Sequence, residues 1–387
     1  MKTSTFFVLL SLFVSAACSI LPACAEVEQS SINQSIMIQG AVNQSDYPRT
    51  IIDSAGREVT ITMPIERIIV LCQGAAEAVK LLGSEDKVVG IVDSVQKNSK
   101  MFPLLKKKTS VGKEDDPNID MIGAISLEGD IIKPNILVVC YDYPDKLYGA
   151  AAIERKLVSL KNITVAGFHF TPEIMTEELH KLGKLLGKEN EAEDYLNLYS
   201  ERKADVKKSL DGEASPKVYM ELSSKGGLNS LETPGKTNSL NTLITNAGGD
   251  NIAKSQSKPV VKVKWDWVVS KNPDVIICMQ SRDFTGWNAP PSIDTIQLEI
   301  TKNEILTRPG ANGISAVKND QIYFVPIDML NGIKNVAGLT ELAKLFHPQL
   351  NIDPSDVYEE YFERMGISYP KNRVFVYPEP TQDKSKA

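Results

Sequence analysis

The sequence predicts an α/β protein of two lobes with parallel-rich sheets and a long helical stretch between them. Three observations carry this. Short continuous apolar runs such as "RIIVLC" (67–72), "NILVVC" (135–140) and "DVIICM" (274–279) fit strands buried on both faces. Helix-period segments alternate with such runs, which is the pattern of βα units. Residues 173–210 then run without a strand and divide two blocks of that alternation. At 387 residues the chain is long enough for two domains.

Taken in order, "TIIDSAGREVTITMP" alternates apolar and polar residues around Ala55-Gly56 and reads as a hairpin. Strands follow at 67–72, 87–92, 133–140 and 163–168, with the helix "AAEAVKLLG" stopped by Gly83 after the first. In 173–210, Met175, Leu179, Leu182 and Leu186 space by 4, 3 and 4, and Ala192, Tyr195, Tyr199, Val206 and Leu210 continue the stripe. This is one amphipathic helix, or two with a joint near Gly187; unbroken it would reach roughly 55 Å. The second block has strands at 217–222, 274–279 and 321–325, with a turn at Asn319-Asp320. Its helices are "NSLNTLITNAGG", "VAGLTELAKLFHP" and "PSDVYEEYFERMG". The resulting division is a first lobe at 49–172, a connecting helix at 173–212, a second lobe at 213–369 and a loose polar tail at 370–387.

The amino-terminal residues 1–25 read as an export signal: Lys2, an apolar run at 6–17, then Ala23-Cys24-Ala25. Two processing readings stand, plain cleavage or lipidation of Cys24 within Leu21-Pro22-Ala23-Cys24. Either places the protein outside the cytoplasm, in a periplasm or on the outer cell surface. Residues 26–48 are rich in Ser, Gln and Asn and read as a tether. Asn33, Asn43 and Asn162 each begin a glycosylation sequon.

The net charge of −6 argues against nucleic-acid binding. Cys72, Cys140 and Cys278 each lie in an apolar run with no short spacing, so they read as buried hydrophobes rather than a disulfide or zinc set. Neither a phosphate loop nor any metalloprotease or nucleophile-elbow signature is present. With three histidines (His169, His180 and His347), a bare transition-metal site is disfavoured and no cofactor is expected.

The order of "DSAGREVTI", "PIERIIVLCQGAAEAVKLLGSEDKVVGI", "LEGDIIKPNILVV", "LGKLLGKENEAEDY", "LITNAGGDNIA", "VKWDWVVSKNPDVII", "AVKNDQIYFVP" and "GLTELAKLFHP" over about residues 50–365 resembles ABC-importer solute-binding proteins of the iron-siderophore, haem and cobalamin class. The resemblance implies two Rossmann-like lobes joined by one long rigid helix, with a metal chelate held in the cleft between them. It implies a monomer that delivers the chelate to an importer permease with its ATPase, without bond chemistry. It further implies that Glu128, in "SLEGDIIKP", and Asp266, in "KWDWVVSKNP", dock the two lobes on permease arginines. Asp266 departs from the family's glutamate and is one methylene shorter.

Loops beyond the strands should line the cleft. They offer Gln73, Lys113, Tyr141, Tyr143, Phe168 and His169 in the first lobe. The second lobe offers Glu221, Ser223, Trp265, Gln280, Arg282 and Asp328. Tyrosines suit a large flat or macrocyclic ligand. A sparse basic rim, Arg282 and a few lysines, leans toward a neutral or mixed chelate. In "AGGDNIA" the glycines read as capping and close approach. Two rivals stand: a chelatase-like enzyme, for which His169 and Glu221 are the one pair to nominate, and a surface adhesion module.

Overall fold

The computed structural model describes residues 47–128, 131–132, 136–141, 145–160, 162–279, 284–287, 289, 295–371 and 373–380. The export signal, the tether, Cys24, Tyr143, Gln280, Arg282 and the last seven residues lie outside the described residues.

The hairpin forms as the alternation requires. Strands β1 (Arg49–Ile52) and β2 (Glu58–Ile61) pair antiparallel across Gly56, whose φ of 72° favours glycine. Buried Asp53 holds it in place, accepting from the backbone N–H of Ala55, Arg57 and Gly167 and from the Arg57 guanidinium.

The first sheet is built from β3 (Arg67–Val70), helix α1 (Gln73–Leu81), β4 (Val88–Ile91), α2 (Asp93–Lys97), β5 (Thr109–Ser110) and α3 (Ile119–Ser126). A small antiparallel pair follows, β6 (Leu127–Glu128) with β7 (Ile131–Ile132). Then come β8 (Ile136–Tyr141), α4 (Ala150–Leu157) and β9 (Ile163–Phe168). The order β5-β4-β3-β8-β9 is all parallel. Strand order reverses between β3 and β8, which sets a crevice at their carboxyl ends.

The 173–210 stretch takes the two-helix form. Helix α5 (Met175–Leu186) ends on Gly187, left-handed at φ 70°, and α6 (Glu189–Ser209) starts anew. Arg49 fixes the corner: its Nη1 donates to Lys184 O at 2.7 Å and to Glu189 Oε1 at 2.8 Å. The chain folds back sharply enough to bring His180 Nε2 within 3.5 Å of Glu193. The expected single 55 Å rod is therefore replaced by helices of roughly 18 and 31 Å. The first packs on β1, and the second packs against the far half.

That half comprises β10 (Lys217–Glu221), β11 (Leu231–Pro234), α7 (Ser239–Asn246), β12 (Asp250–Asn251), β13 (Val260–Val263), α8 (Trp265–Lys271), β14 (Val275–Cys278), α9 (Ile296–Leu306), α10 (Ser315–Lys318), β15 (Ile322–Phe324), α11 (Asn335–Phe346) and α12 (Pro354–Arg364). Its sheet, β12-β10-β14-β15, is also parallel. The antiparallel β11–β13 pair has no counterpart in the sequence reading.

Two further features depart from expectation. The apolar core runs without a break from the first sheet through α5, α6 and α11 into the second, so the halves are packed together, not braced apart. Residues 375–377, within the segment expected to be a loose tail, are anchored: Phe375 and Val376 are buried, and Tyr377 exchanges backbone bonds with Phe324 on β15. A run of aromatic and β-branched residues in "RVFVY" adds to a sheet edge despite its polar flanks.

Candidate functional site

The crevice at the β3–β8 switch opens into a groove of three adjoining cavities. One of about 460 Å³ is walled by Tyr141, Tyr148, Lys113, Asp93 and Glu114. A second of about 420 Å³ carries Ser94 and Lys97 on from it and reaches Gln73 and Asn98. The third, about 240 Å³ and more enclosed, is lined by both halves. Gln73, Glu77, Asn98 and Met101 come from the first half, and Thr285, Pro326, Ile327, Asp328 and Lys334 from the second.

Local sequence explains the placement. Cys72 caps α1 by accepting from Ala75 N through its sulfur at 3.4 Å, so Gln73 starts the helix at the carboxyl end of β3. Gly74 clears room for Tyr141: a Cβ there would lie 3.2 Å from the Tyr141 hydroxyl. Glu114 Oε1 accepts from Gln73 N at 3.1 Å and from Ser94 Oγ at 2.5 Å, setting a carboxylate at the helix amino terminus.

Asn98 is the most telling group. It is 8% exposed, its Nδ2 donates to Gln73 Oε1 at 2.9 Å, and its Oδ1 is buried with no partner among the described residues. An unsatisfied buried acceptor costs about 1–3 kcal/mol and is expected where a ligand donor completes it.

The groove floor is closed by an ion pair between the halves. Lys334 Nζ donates to both Glu77 oxygens at 2.6 and 2.7 Å, and Tyr361 Oη donates to Oε2 at 3.0 Å. At the mouth, desolvation first and the nearby Arg373 charge second lower the Lys100 ammonium.

The other expected residues divide. Gln73 and Asp328 face the interlobe cavity, and Lys113 and Tyr141 face the cavity beside it. His169 is half-buried at the end of β9, its backbone N–H bonded to Glu178 Oε2 at 3.1 Å. Ser223 is half-buried past β10, its hydroxyl accepting from Lys225 N at 3.2 Å.

Three expectations are corrected. Phe168 is 1% exposed and stacks on Phe170 at 5.9 Å, so it is core. Glu221 is fully buried and gripped by Arg308 at 2.6 and 3.0 Å, with Tyr219 Oη donating at 3.1 Å. Burial first, then Glu221, pushes the Tyr219 phenol up. Trp265 is buried under the Arg308 guanidinium, 4.8 Å from its ring, and its Nε1 donates to Pro309 O at 2.9 Å. The strand pleat turned Phe168 and Glu221 to the sheet faces, not to the carboxyl edge, and Trp265 opens helix α8 with its ring turned inward. With Glu221 sealed, the chelatase pair His169 and Glu221 does not form.

Glu128 lies in β6 and the described residues do not include its side chain. Asp266 is exposed in the first turn of α8. In "AGGDNIA", a Cβ on Gly248 (φ 83°) would lie 2.6 Å from His347 Nε2, and one on Gly249 would lie 2.8 Å from Phe346 and Val218. Asn251 is occupied structurally, donating to Pro234 O and Asn241 Oδ1 at 2.9 Å each.

The periplasmic binding protein family matches residues 68–328. This chain belongs to that family. The described residues include no helix long and apolar enough to cross a membrane. This periplasmic binding protein is 24% identical over 333 residues to the uncharacterized ABC transporter substrate-binding lipoprotein YvrC of Bacillus subtilis, covering 81% of this chain and 94% of that one. Its fold is similar to the TroA-like periplasmic binding protein FepB of Veillonella parvula, with TM-score 0.67, 22% identity, and coverage of 85% and 99%. It is also similar to Helicobacter pylori CeuE in its Ni-His complex, with TM-score 0.60, 20% identity, and coverage of 82% and 95%.

Sequence reasoning missed Glu77, Asn98, Thr285 and Lys334. Glu77 had a signal, a lone carboxylate inside the small apolar run "GAAEAVKLLG". Asn98, in "QKNSK", had none.

Proposed function

We propose that this protein is the extracytoplasmic substrate-binding component of an ABC importer and carries a metal chelate in the interlobe groove. The chelate class is a ferric siderophore, a corrinoid or a haem. The observation that carries the reading is the interlobe cavity with the orphaned Asn98 acceptor at its wall. An O–H or N–H at the ligand's edge completes that acceptor, while Tyr141 and Tyr148 offer flat apolar contact. Lys97 and Lys100 suit carboxylate or hydroxamate oxygens at the mouth. A relative that crystallised with a nickel–histidine complex is in keeping with a chelate as cargo.

Glu128 and Asp266 are the carboxylates that meet the permease, and Cys24 is the lipid-anchor position. A continuous core across the halves favours small motion on loading over wide closure. Mass and visible absorption spectra of small molecules retained by protein purified from its native host test this reading. A corrinoid, haem or ferric-chelate band released on denaturation supports it. A retained sugar or peptide in its place overturns the ligand class.

A further inference from the structure

A cavity of about 810 Å³ shares no wall residue with the three groove cavities. Its walls come from α11, residues 351–353, the start of α12, and residues 369, 371, 373–376, 379 and 380. Aromatic rings form one side: Tyr358 lies 5.8 Å from Tyr369 and 5.2 Å from Phe375, ring centre to ring centre.

Two buried side chains on these walls make no hydrogen bond among the described residues. Glu341 is 7% exposed and makes no hydrogen bond or ion pair among the described residues. Tyr358 is 3% exposed, and its hydroxyl is unpartnered among them too. Glu341 exerts the largest charge effect on that hydroxyl, yet no hydrogen bond joins the two. A gap between two unsatisfied polar groups is where a donor is missing.

Cations at the rim are committed elsewhere. Lys344 Nζ donates to Leu350 O at 2.6 Å, Lys371 lies 3.1 Å from Glu359, and Arg373 donates to the Ala289 carbonyl. The carboxylates of Asp353 and Glu379 add negative charge around Glu341.

We propose that this cavity is a second ligand site, which takes a small organic amine as its ammonium ion. The ammonium N–H groups bond the Glu341 carboxylate and the Tyr358 hydroxyl oxygen, and the rings of Tyr358, Tyr369 and Phe375 cover its methylenes. A hard metal ion fits less well, because it takes six or more oxygens and the described residues hold no group of three His, Cys, Asp or Glu able to bind one. A permanently methylated ammonium has no N–H for either group.

Linkage gives the site a signature. Burial first, then Asp353 and Glu379, raises Glu341 to about 8, with Lys344 opposing. An ammonium favours the ionised form, so binding at neutral pH expels a proton from Glu341. Affinity therefore rises by about tenfold per pH unit below that value and levels off above it.

Isothermal titration of the full chain with putrescine and with spermidine, at pH 6.5, 7.5 and 8.5 in two buffers of different ionisation heat, tests the proposal. Saturable one-to-one binding that tightens with pH and releases close to one proton at neutral pH is expected. Glu341→Gln should weaken it at least tenfold at pH 8.5 and remove the pH dependence. Tyr358→Phe should weaken it severalfold. Glu379→Gln, at an exposed side chain whose change leaves the fold intact, should weaken it less. Asn98→Ala, in the groove, should leave it unchanged. Absence of saturable binding by either amine at millimolar concentration overturns the proposal. So does affinity unmoved by Glu341→Gln, or saturable calcium binding in place of amine.

Discussion

Glu77 of α1 and Lys334 at the start of α11 meet across 257 residues of sequence, at 2.6 Å, with both side chains buried. The pair joins the two halves beneath the groove. Around it, α6 ties to the same short segment: Tyr195 Oη donates to Ile333 O at 2.5 Å and Tyr199 Oη donates to Asn335 Oδ1 at 2.9 Å. Residues 333–335 are thus where α1, α6 and the start of α11 converge.

Removing one partner leaves the other charge buried alone. Glu77→Ala should destabilise by about 3–5 kcal/mol, while exchanging both for Met should recover most of that loss. Urea unfolding of the singles and the double in one cycle measures the coupling. A Glu77→Ala midpoint equal to that of the parent would show that the pair does not join the halves.

Much of this fold was legible because its strands are continuous apolar runs and its helices keep a 3.6-residue period. Strand β9 matches its expected bounds, 163–168, and α12 begins at Pro354 as its first-turn proline indicates. The site was less legible. Which face a strand residue points to depends on the sheet's neighbours, so Phe168 and Glu221 read as loop-facing and proved to be core. Asn98 and Thr285 reach the cavity only because two halves distant in sequence pack together. A joint near Gly187 was one of two readings of 173–210, and Arg49, 138 residues away, fixes it.

Gly248 and Gly56 both have positive φ, 83° and 72°, but different surroundings. A Cβ on Gly56 meets nothing within 4 Å, whereas one on Gly248 meets His347 at 2.6 Å and Leu210 at 2.7 Å. Gly56→Ala should lose about 1 kcal/mol from backbone strain alone, and Gly248→Ala clearly more. Equal losses in thermal unfolding would contradict close approach at the end of α7.

Stability should depend on pH through Glu341. Its folded value, about 8, lies above the ordinary 4.5. Its contribution is therefore fully present below about 4.5 and is lost as pH rises through about 8. Without an amine ligand, the melting temperature should fall across that window, and Glu341→Gln should flatten the fall. An unchanged slope in the variant would place the titration elsewhere.

The proposed docking role of Glu128 and Asp266 predicts that permease docking and ligand binding separate. Glu128→Ala with Asp266→Ala should leave chelate affinity within about twofold, because surface changes away from the groove act weakly. Uptake by the reconstituted importer should drop by at least tenfold. Normal uptake would remove these two carboxylates from the docking assignment.

The proposed chelate site lies in the interlobe groove, along the Gln73–Asn98 wall. Fluorescence titration with cyanocobalamin, haemin and a ferric hydroxamate, on the parent and on Asn98→Ala, tests it most directly. Saturable one-to-one binding of one of these, weakened about tenfold or more in Asn98→Ala, is the expected result. Binding of none of the three, or binding that the substitution leaves untouched, would contradict the account.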